Sequence, residues 1–171
     1  LANNYALKLD GCNLAGDLDS LCNVKILSIS CCHNFGRPIT NVSMLGNVTE
    51  LSLIFCEQIT DVSALGNVKM LNLTGCSGIT DVSALGNVEC LTLNCCNLTD
   101  VSALGNVRCL RLDCNGISDI SGLGNNNTVF LYHSKYISDL SALANIDSLV
   151  LYECDNISDV SMLTNIRVLI I

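Results

Sequence analysis

Twelve cysteines, two histidines and seven regularly placed aspartates are the side chains of this 171-residue chain that could do chemistry. Cys90 and Cys109 each precede the first leucine of a Leu-x-Leu pair, and Cys95 and Cys114 follow five residues later in the same two segments. If those segments are neighbouring strands, each pair comes within the Cα separation of about 4.4–6.8 Å that a disulfide needs. The two pairs then lie roughly 16 Å apart along the strand, too far to share one tetrahedral zinc. No Cys-x-x-Cys motif occurs. His33 and His133 are the only imidazoles, and a thiol–imidazole couple drawn from Cys95 or Cys96 to His133 spans two segments, about 10 Å. Neither a nucleophile elbow nor a phosphate loop nor a helical metal motif appears. The expectation is a chain that is not an enzyme and carries no metal or cofactor.

The aspartates are Asp17, Asp61, Asp81, Asp100, Asp119, Asp139 and Asp159. They account for nearly all of the formal net charge of −8. Hard oxygen ligands in a row could take Ca²⁺, but one carboxylate per segment with no glycine-rich cage fits another role better. Each aspartate but Asp17 precedes a Ser by two residues, and each is expected to accept a backbone N–H at the start of a turn, as a helix N-cap does.

Composition narrows the class of protein. Half the residues are hydrophobic and 14% are charged, which excludes a disordered chain. No uncharged stretch is long enough for a membrane-spanning helix. Acidity with scattered Lys and Arg makes a poor ligand for phosphate backbones, so nucleic acid is not an expected partner. Residues 1–4 (Leu-Ala-Asn-Asn) have neither the basic start nor the apolar run of a secretory leader. The unpaired thiols favour a reducing, intracellular compartment. Glycosylation sequons at Asn41, Asn47, Asn72, Asn97, Asn126 and Asn156 point the same way, since several occupy positions with structural duties.

The elements that position these residues are repeats. Asp-Val-Ser-Ala-Leu-Gly-Asn-Val occurs at 61–68, 81–88 and 100–107, with looser copies beginning at Asp17, Asn41, Asp119, Asp139 and Asp159. Upstream of each copy stands an apolar pair, from Leu7/Leu9 to Leu169/Ile171, at successive spacings of 20, 24, 20, 20, 19, 19, 20 and 20 residues. Period two puts both members of a pair on one face of a strand. The chain therefore reads as one array over residues 1–171, eight coils plus a terminal strand. Three residues past the pair comes a polar slot, filled by Cys12, Cys32, Cys56, Cys76, Cys96, Asn115, Ser134 and Cys154. A thiol or amide there can satisfy backbone groups that the inward turn leaves without a ladder partner. Asn23, Asn47, Asn67, Asn87, Asn106, Asn125, Asn145 and Asn165 form a second column. These are expected to serve the turn, with the glycines before five of them supplying positive φ or close backbone approach.

Residues 88–98 (Val-Glu-Cys-Leu-Thr-Leu-Asn-Cys-Cys-Asn-Leu) and 107–117 fit Val-x-x-Leu-x-Leu-x-x-Cys/Asn-x-Leu/Ile, so the chain resembles the leucine-rich repeat proteins throughout its length. Leu71-Asn-Leu-Thr-Gly-Cys76-Ser-Gly-Ile79 is similar to the cysteine-containing repeats of F-box-type proteins, and Asp-Val-Ser-Ala-Leu-Gly-Asn to the return segment of bacterial internalins. Short cysteine-bearing arrays also resemble those of large DNA viruses of protists, which implies host cytoplasm or virion as the location. The resemblance implies an α/β-type right-handed solenoid with a parallel sheet on its concave face. At 19–20 residues per coil the convex side must be short 3₁₀ turns or irregular chain, with little or no regular helix.

In such a solenoid the residues flanking and separating each leucine pair face outward from the sheet. The first two-thirds of that surface is small and polar. The last third gathers Phe130, Tyr132, Val150 and Tyr152 beside Arg111 and Asp113, the aromatic-plus-arginine mixture that protein-binding surfaces favour. The expected function is a non-catalytic protein–protein interaction module using those six residues, with cross-strand packing as their plain structural role. The apolar terminal strand Val168–Ile171 has no polar capping segment. Either a cap lies beyond it, or it pairs with a second copy as a homodimer or structural assembly. His33 lies in the 24-residue coil, where four inserted residues make a loop.

Overall fold

The structure, a computed structural model, describes residues 5–11, 18–30, 38–94 and 97–171. Nine parallel strands form one sheet in chain order: β1 (Ala6–Asp10), β2 (Ile26–Ser30), β3 (Glu50–Ile54), β4 (Met70–Thr74), β5 (Cys90–Asn94), β6 (Cys109–Asp113), β7 (Thr128–Tyr132), β8 (Ser148–Tyr152) and β9 (Val168–Ile170). Pairing is in register across repeats, so that Leu7, Leu27, Leu51, Leu71, Leu91, Leu110, Val129, Leu149 and Leu169 make one continuous row. Between β2 and β8 both apolar members of every strand are buried.

The return path explains why no α-helix forms among the described residues. From Cys76 the buried positions are Ile79, Val82, Leu85 and Val88, a strict period of three. A 3₁₀ turn, with three residues per turn, keeps every third side chain on one side, whereas the 3.6-residue α-helix would rotate them away. Short 3₁₀ segments follow accordingly, as at Ser63–Asn67, Ser83–Asn87 and Ser102–Asn106. Leu85 N–H donates to the Val82 carbonyl at 2.9 Å and Val88 N–H to the Leu85 carbonyl at 3.1 Å.

The aspartates open these turns as expected. Oδ1 of Asp61, Asp81, Asp100, Asp119, Asp139 and Asp159 accepts the N–H of the serine two residues on at 2.8–2.9 Å, and Asn41 serves Ser43 likewise. The serine N–H and hydroxyl hold the carboxyl groups of Asp81, Asp100, Asp119, Asp139 and Asp159 below the ordinary value of 3.8, and the Ser63 hydroxyl and N–H do so for Asp61. A folded-state pKa below the unfolded one stabilises the protein above the unfolded value, and that share is lost as pH falls through the folded value. The denaturant midpoint should therefore drop as pH is lowered past about 4. Because Asn41 makes the same bond without a charge, Asp81→Asn/Asp100→Asn/Asp119→Asn should keep the turns and flatten that acid limb. Midpoints measured from pH 6 to pH 2.5 check this, and an equally steep fall in the triple variant would refute it.

Two columns depart from expectation. The slot residue after β6 is Cys114, not Asn115. Cys114 is buried and its Sγ donates to the Leu93 carbonyl at 3.7 Å, whereas Asn115 is exposed. In the 20-residue coils a left-handed residue stands between strand and slot: Phe55 (φ 57°), Gly75 (φ 74°), His133 (φ 51°) and Glu153 (φ 51°). After β6 that residue is missing, so the slot moves one place nearer the strand. Cys76 Sγ, 3.2 Å from the Leu53 carbonyl, and Cys154 Sγ, 3.5 Å from the Leu131 carbonyl, likewise reach the preceding coil, whereas Ser134 Oγ donates within its own coil to the Tyr132 carbonyl at 3.2 Å. Cys114 is therefore the slot residue itself and not, as expected, the one before it. Cys95, with Cys12, Asp17, Cys31, Cys32, His33 and Cys96, lies outside the described residues.

The Asn column, expected to serve the turn, does so without left-handed geometry. All eight asparagines from Asn23 to Asn165 are exposed, and none is among the described residues with positive φ. The buried asparagine is Asn126, which stands where other coils have Val24, Val48, Val68, Val88, Val107 and Ile146. Its Nδ2 donates to the carbonyls of Leu104 and Val107, while its Oδ1 is buried without a hydrogen-bond partner. Such burial leaves no room for a glycan on the Asn126 sequon.

Candidate functional site

The strand register brings all six expected surface residues together. Arg111 pairs with Phe130, Phe130 with Val150 and Val150 with Ile170 in one row. Asp113 pairs with Tyr132 and Tyr132 with Tyr152 in the next. These are the third and fifth strand positions, which share the open face because alternation sends the second and fourth into the core. Across the rows the Arg111 guanidinium lies 4.8 Å from the Phe130 ring centroid and 5.6 Å from that of Tyr132. Stacking a cation on two rings holds the arginine flat while leaving it exposed. Tyr132 and Tyr152 are tilted rings with centroids 6.1 Å apart, and Tyr152 is 54% exposed.

A polar network borders the aromatic rows. Asp113 accepts from Asn94 Nδ2 at 2.8 Å and lies 2.8 Å from His133 Nδ1. On its other side His133 Nε2 is 3.3 Å from Glu153 Oε2, and the ring meets Tyr152 edge-on at 6.0 Å. Three residues here were not singled out for the site by sequence: Asn94, His133 and Glu153. The latter two sit one residue past the strand in the left-handed conformation. Hydrogen bonding to Asp113 lifts the His133 imidazole above its ordinary 6.5, with charge attraction from Asp113 and Glu153 adding to it. Both ring nitrogens are engaged by carboxylates, so the imidazole is a cross-link between coils rather than a free general base.

The earlier part of the same face has a different character. Over β2–β5 it carries a shallow depression of ≈ 310 Å³ whose floor is Ser28, Ser52, Asn72 and Thr92, with Ile26 and Met70 among the residues at its margin. Small side chains on the middle position leave the sheet low there, while Phe130 and Val150 raise it over β7 and β8. Among the described residues, no group of three or more His, Cys, Asp and Glu side chains is placed to hold a metal ion, and no helix is long and apolar enough to cross a membrane.

No protein-family model matches the chain, and no curated protein matches it in sequence. Solved structures do match. Internalin C2 of Listeria monocytogenes is 26% identical, with 92% of this chain and 76% of that one covered and a TM-score of 0.58. The internalin InlF of the same organism is 23% identical with a TM-score of 0.59, covering 97% of this chain. This chain spans 60% of the InlF chain. With nine parallel strands, 3₁₀ returns and these two neighbours, the chain is a leucine-rich repeat solenoid.

Proposed function

We propose that this chain is a non-catalytic protein-binding module whose partner docks on the open sheet face of β6–β8, through Arg111, Asp113, Phe130, Tyr132, Val150 and Tyr152. The observation that supports the reading is the Arg111 guanidinium stacked on Phe130 and Tyr132 in a surface otherwise poor in aromatics. Rigid aromatic side chains with an arginine offer large contact area at little cost in conformational freedom. A partner with apolar side chains for the two rows and both charge signs for Arg111 and for Asp113 and Glu153 would complement it.

Crosslinking capture from the native source, followed by binding measurement with the captured protein, tests the site. Phe130→Ser with Tyr152→Ser should weaken binding at least about a hundredfold, since aromatic anchors each contribute on the order of 2 kcal/mol. Neither side chain is buried in the core, so the urea midpoint should stay near that of the parent. Undiminished capture by the double variant would refute the site.

A second reading rests on β9, where Val168, Leu169 and Ile170 are 41%, 37% and 54% exposed. In that reading a second copy of the chain adds its strand to this one and the protein is a self-assembling component. Light scattering that reports a monomer at high concentration removes it.

A further inference from the structure

Cys90 and Cys109 stand opposite each other in the register of β5 and β6, and Met70 stands opposite Cys90 on β4. Three sulfur-bearing side chains thus occupy one row at the first position of adjacent strands, about 4.8 Å apart. All three point to the open face, and Cys90 and Met70 both line the depression over β2–β5. Met70 is 48% exposed, and both thiols are half-buried. We propose that Cys90 and Cys109 form a two-thiolate site for a soft monovalent metal ion such as Cu(I), with the Met70 thioether as a neighbouring weak donor.

The geometry favours a bridging atom over a direct sulfur–sulfur bond. Side chains of in-register residues on parallel strands leave the sheet in the same direction, so their Cβ atoms stay near the strand spacing of about 4.8 Å. A disulfide wants Cβ atoms about 3.5–4.5 Å apart. An ion seated between the two sulfurs requires no approach of the backbones. Two adjacent thiolates repel, a cation between them removes that repulsion, and Arg108 and Arg111 flank Cys109 in the chain. Binding is written as two thiols plus Cu(I) giving a bis-thiolate complex of net charge −1 and two released protons, with no change of oxidation state. The flanking arginines offset the residual charge.

Ligand type sets the selectivity. Thiolate and thioether donors prefer soft ions, whereas Mg²⁺ and Ca²⁺ want oxygen. Two thiols and one thioether also fall short of the four donors of a structural zinc site, and the carboxylate of the row, Glu50, stands opposite Met70 on the side away from the thiols. The three sulfurs stand at the first strand position on β4–β6 and the aromatic rings at the third and fifth positions on β7 and β8, and the site does not depend on the protein-binding reading.

The test is an anaerobic titration of the reduced full chain with Cu(I) against a chromophoric competing chelator. Other cysteines of the chain can also take Cu(I), so the comparison is between variants. Cys90→Ser and Cys109→Ser should each lower the number of tightly held ions by one, and the double variant should lower it by the same one, because both thiols serve a single ion. Cys90→Ala and Cys109→Ala repeat the comparison if either serine variant fails to fold. An unchanged stoichiometry in both single variants, or a loss of two in the double variant, would overturn the site. So would a Cys90–Cys109 disulfide peptide as the product of mild oxidation by oxidised glutathione, since it would show that the sulfurs meet directly.

Discussion

Gly105→Ala is expected to destabilise the protein by about 3 kcal/mol, the upper end of what overpacking costs. A Cβ at Gly105 would stand 2.2 Å from the Gly122 carbonyl oxygen, and that obstacle is main chain of the next coil, not the end of a flexible side chain. Relief requires the turns at Ser102–Asn106 and Ser121–Leu123 to separate, which takes Leu104 and Leu123 out of contact as well. The opposite sign would follow if only chain entropy mattered, because Gly→Ala at a compatible position stabilises by about 0.4–1 kcal/mol. The same clearance governs Gly46, Gly66 and Gly86, each 2.3–2.5 Å from an alanine carbonyl one coil on. Gly124 is looser at 3.0 Å from the Ala142 carbonyl, and the following coil carries Ala144 at this position. Gly124→Ala should consequently cost much less than Gly105→Ala. Urea midpoints of the two variants decide the matter, and a Gly105→Ala protein as stable as its parent would sink it.

That glycine column shows what the sequence could and could not disclose. Recurrence before Asn pointed to positive φ or to close approach, and only coordinates separate the two: Gly46 and Gly124 have φ of −63° and −67°, so close approach is the reason. The strands were fully legible, because Leu-x-Leu has a single periodic reading and its repetition fixes register. The slot was legible in five-residue context but not to the residue. Counting three places from Leu112 leads to Asn115, and the missing left-handed residue that shifts the slot to Cys114 leaves no mark except a coil one residue short. The interior place of Asn126 was hidden for the opposite reason. It lies inside Asn125-Asn-Asn127, where a polar residue looks like turn, and only the period of three along the return path assigns it to the interior.

The placement of the candidate residues was legible wherever alternation decides orientation. Arg111, Phe130 and Val150 share one strand position, and Asp113, Tyr132 and Tyr152 another, so in-register stacking brings each set together. His133 and Glu153 lie beyond the last strand position, where alternation no longer applies. Their left-handed backbone is uncommon for such side chains and is not encoded by residue type. Once it is known, the His133 ring bridging Asp113 and Glu153 follows from the spacing of adjacent coils.

Leu93→Ala and Leu169→Ala should differ severalfold in cost, because a leucine in the middle of a solenoid is supported from both sides. Leu93 is fully buried, and in register with Leu73 on β4 and Leu112 on β6. Removing its side chain leaves a void whose walls belong to two coils pinned by backbone ladders, so the site cannot collapse and the loss belongs in the upper half of the range of about 2–5 kcal/mol. Leu169 is in register with Leu149 on β8 and is 37% exposed, so its truncation should cost about 1 kcal/mol or less. Stability in a stacked array is a chain of nearest-neighbour terms. Weakening a central link should therefore also uncouple the halves, so that urea unfolding of Leu93→Ala broadens with a reduced slope, while Leu169→Ala keeps the parent slope. Equal losses at the two positions, with equal slopes, would mean that the leucines do not support one another from coil to coil.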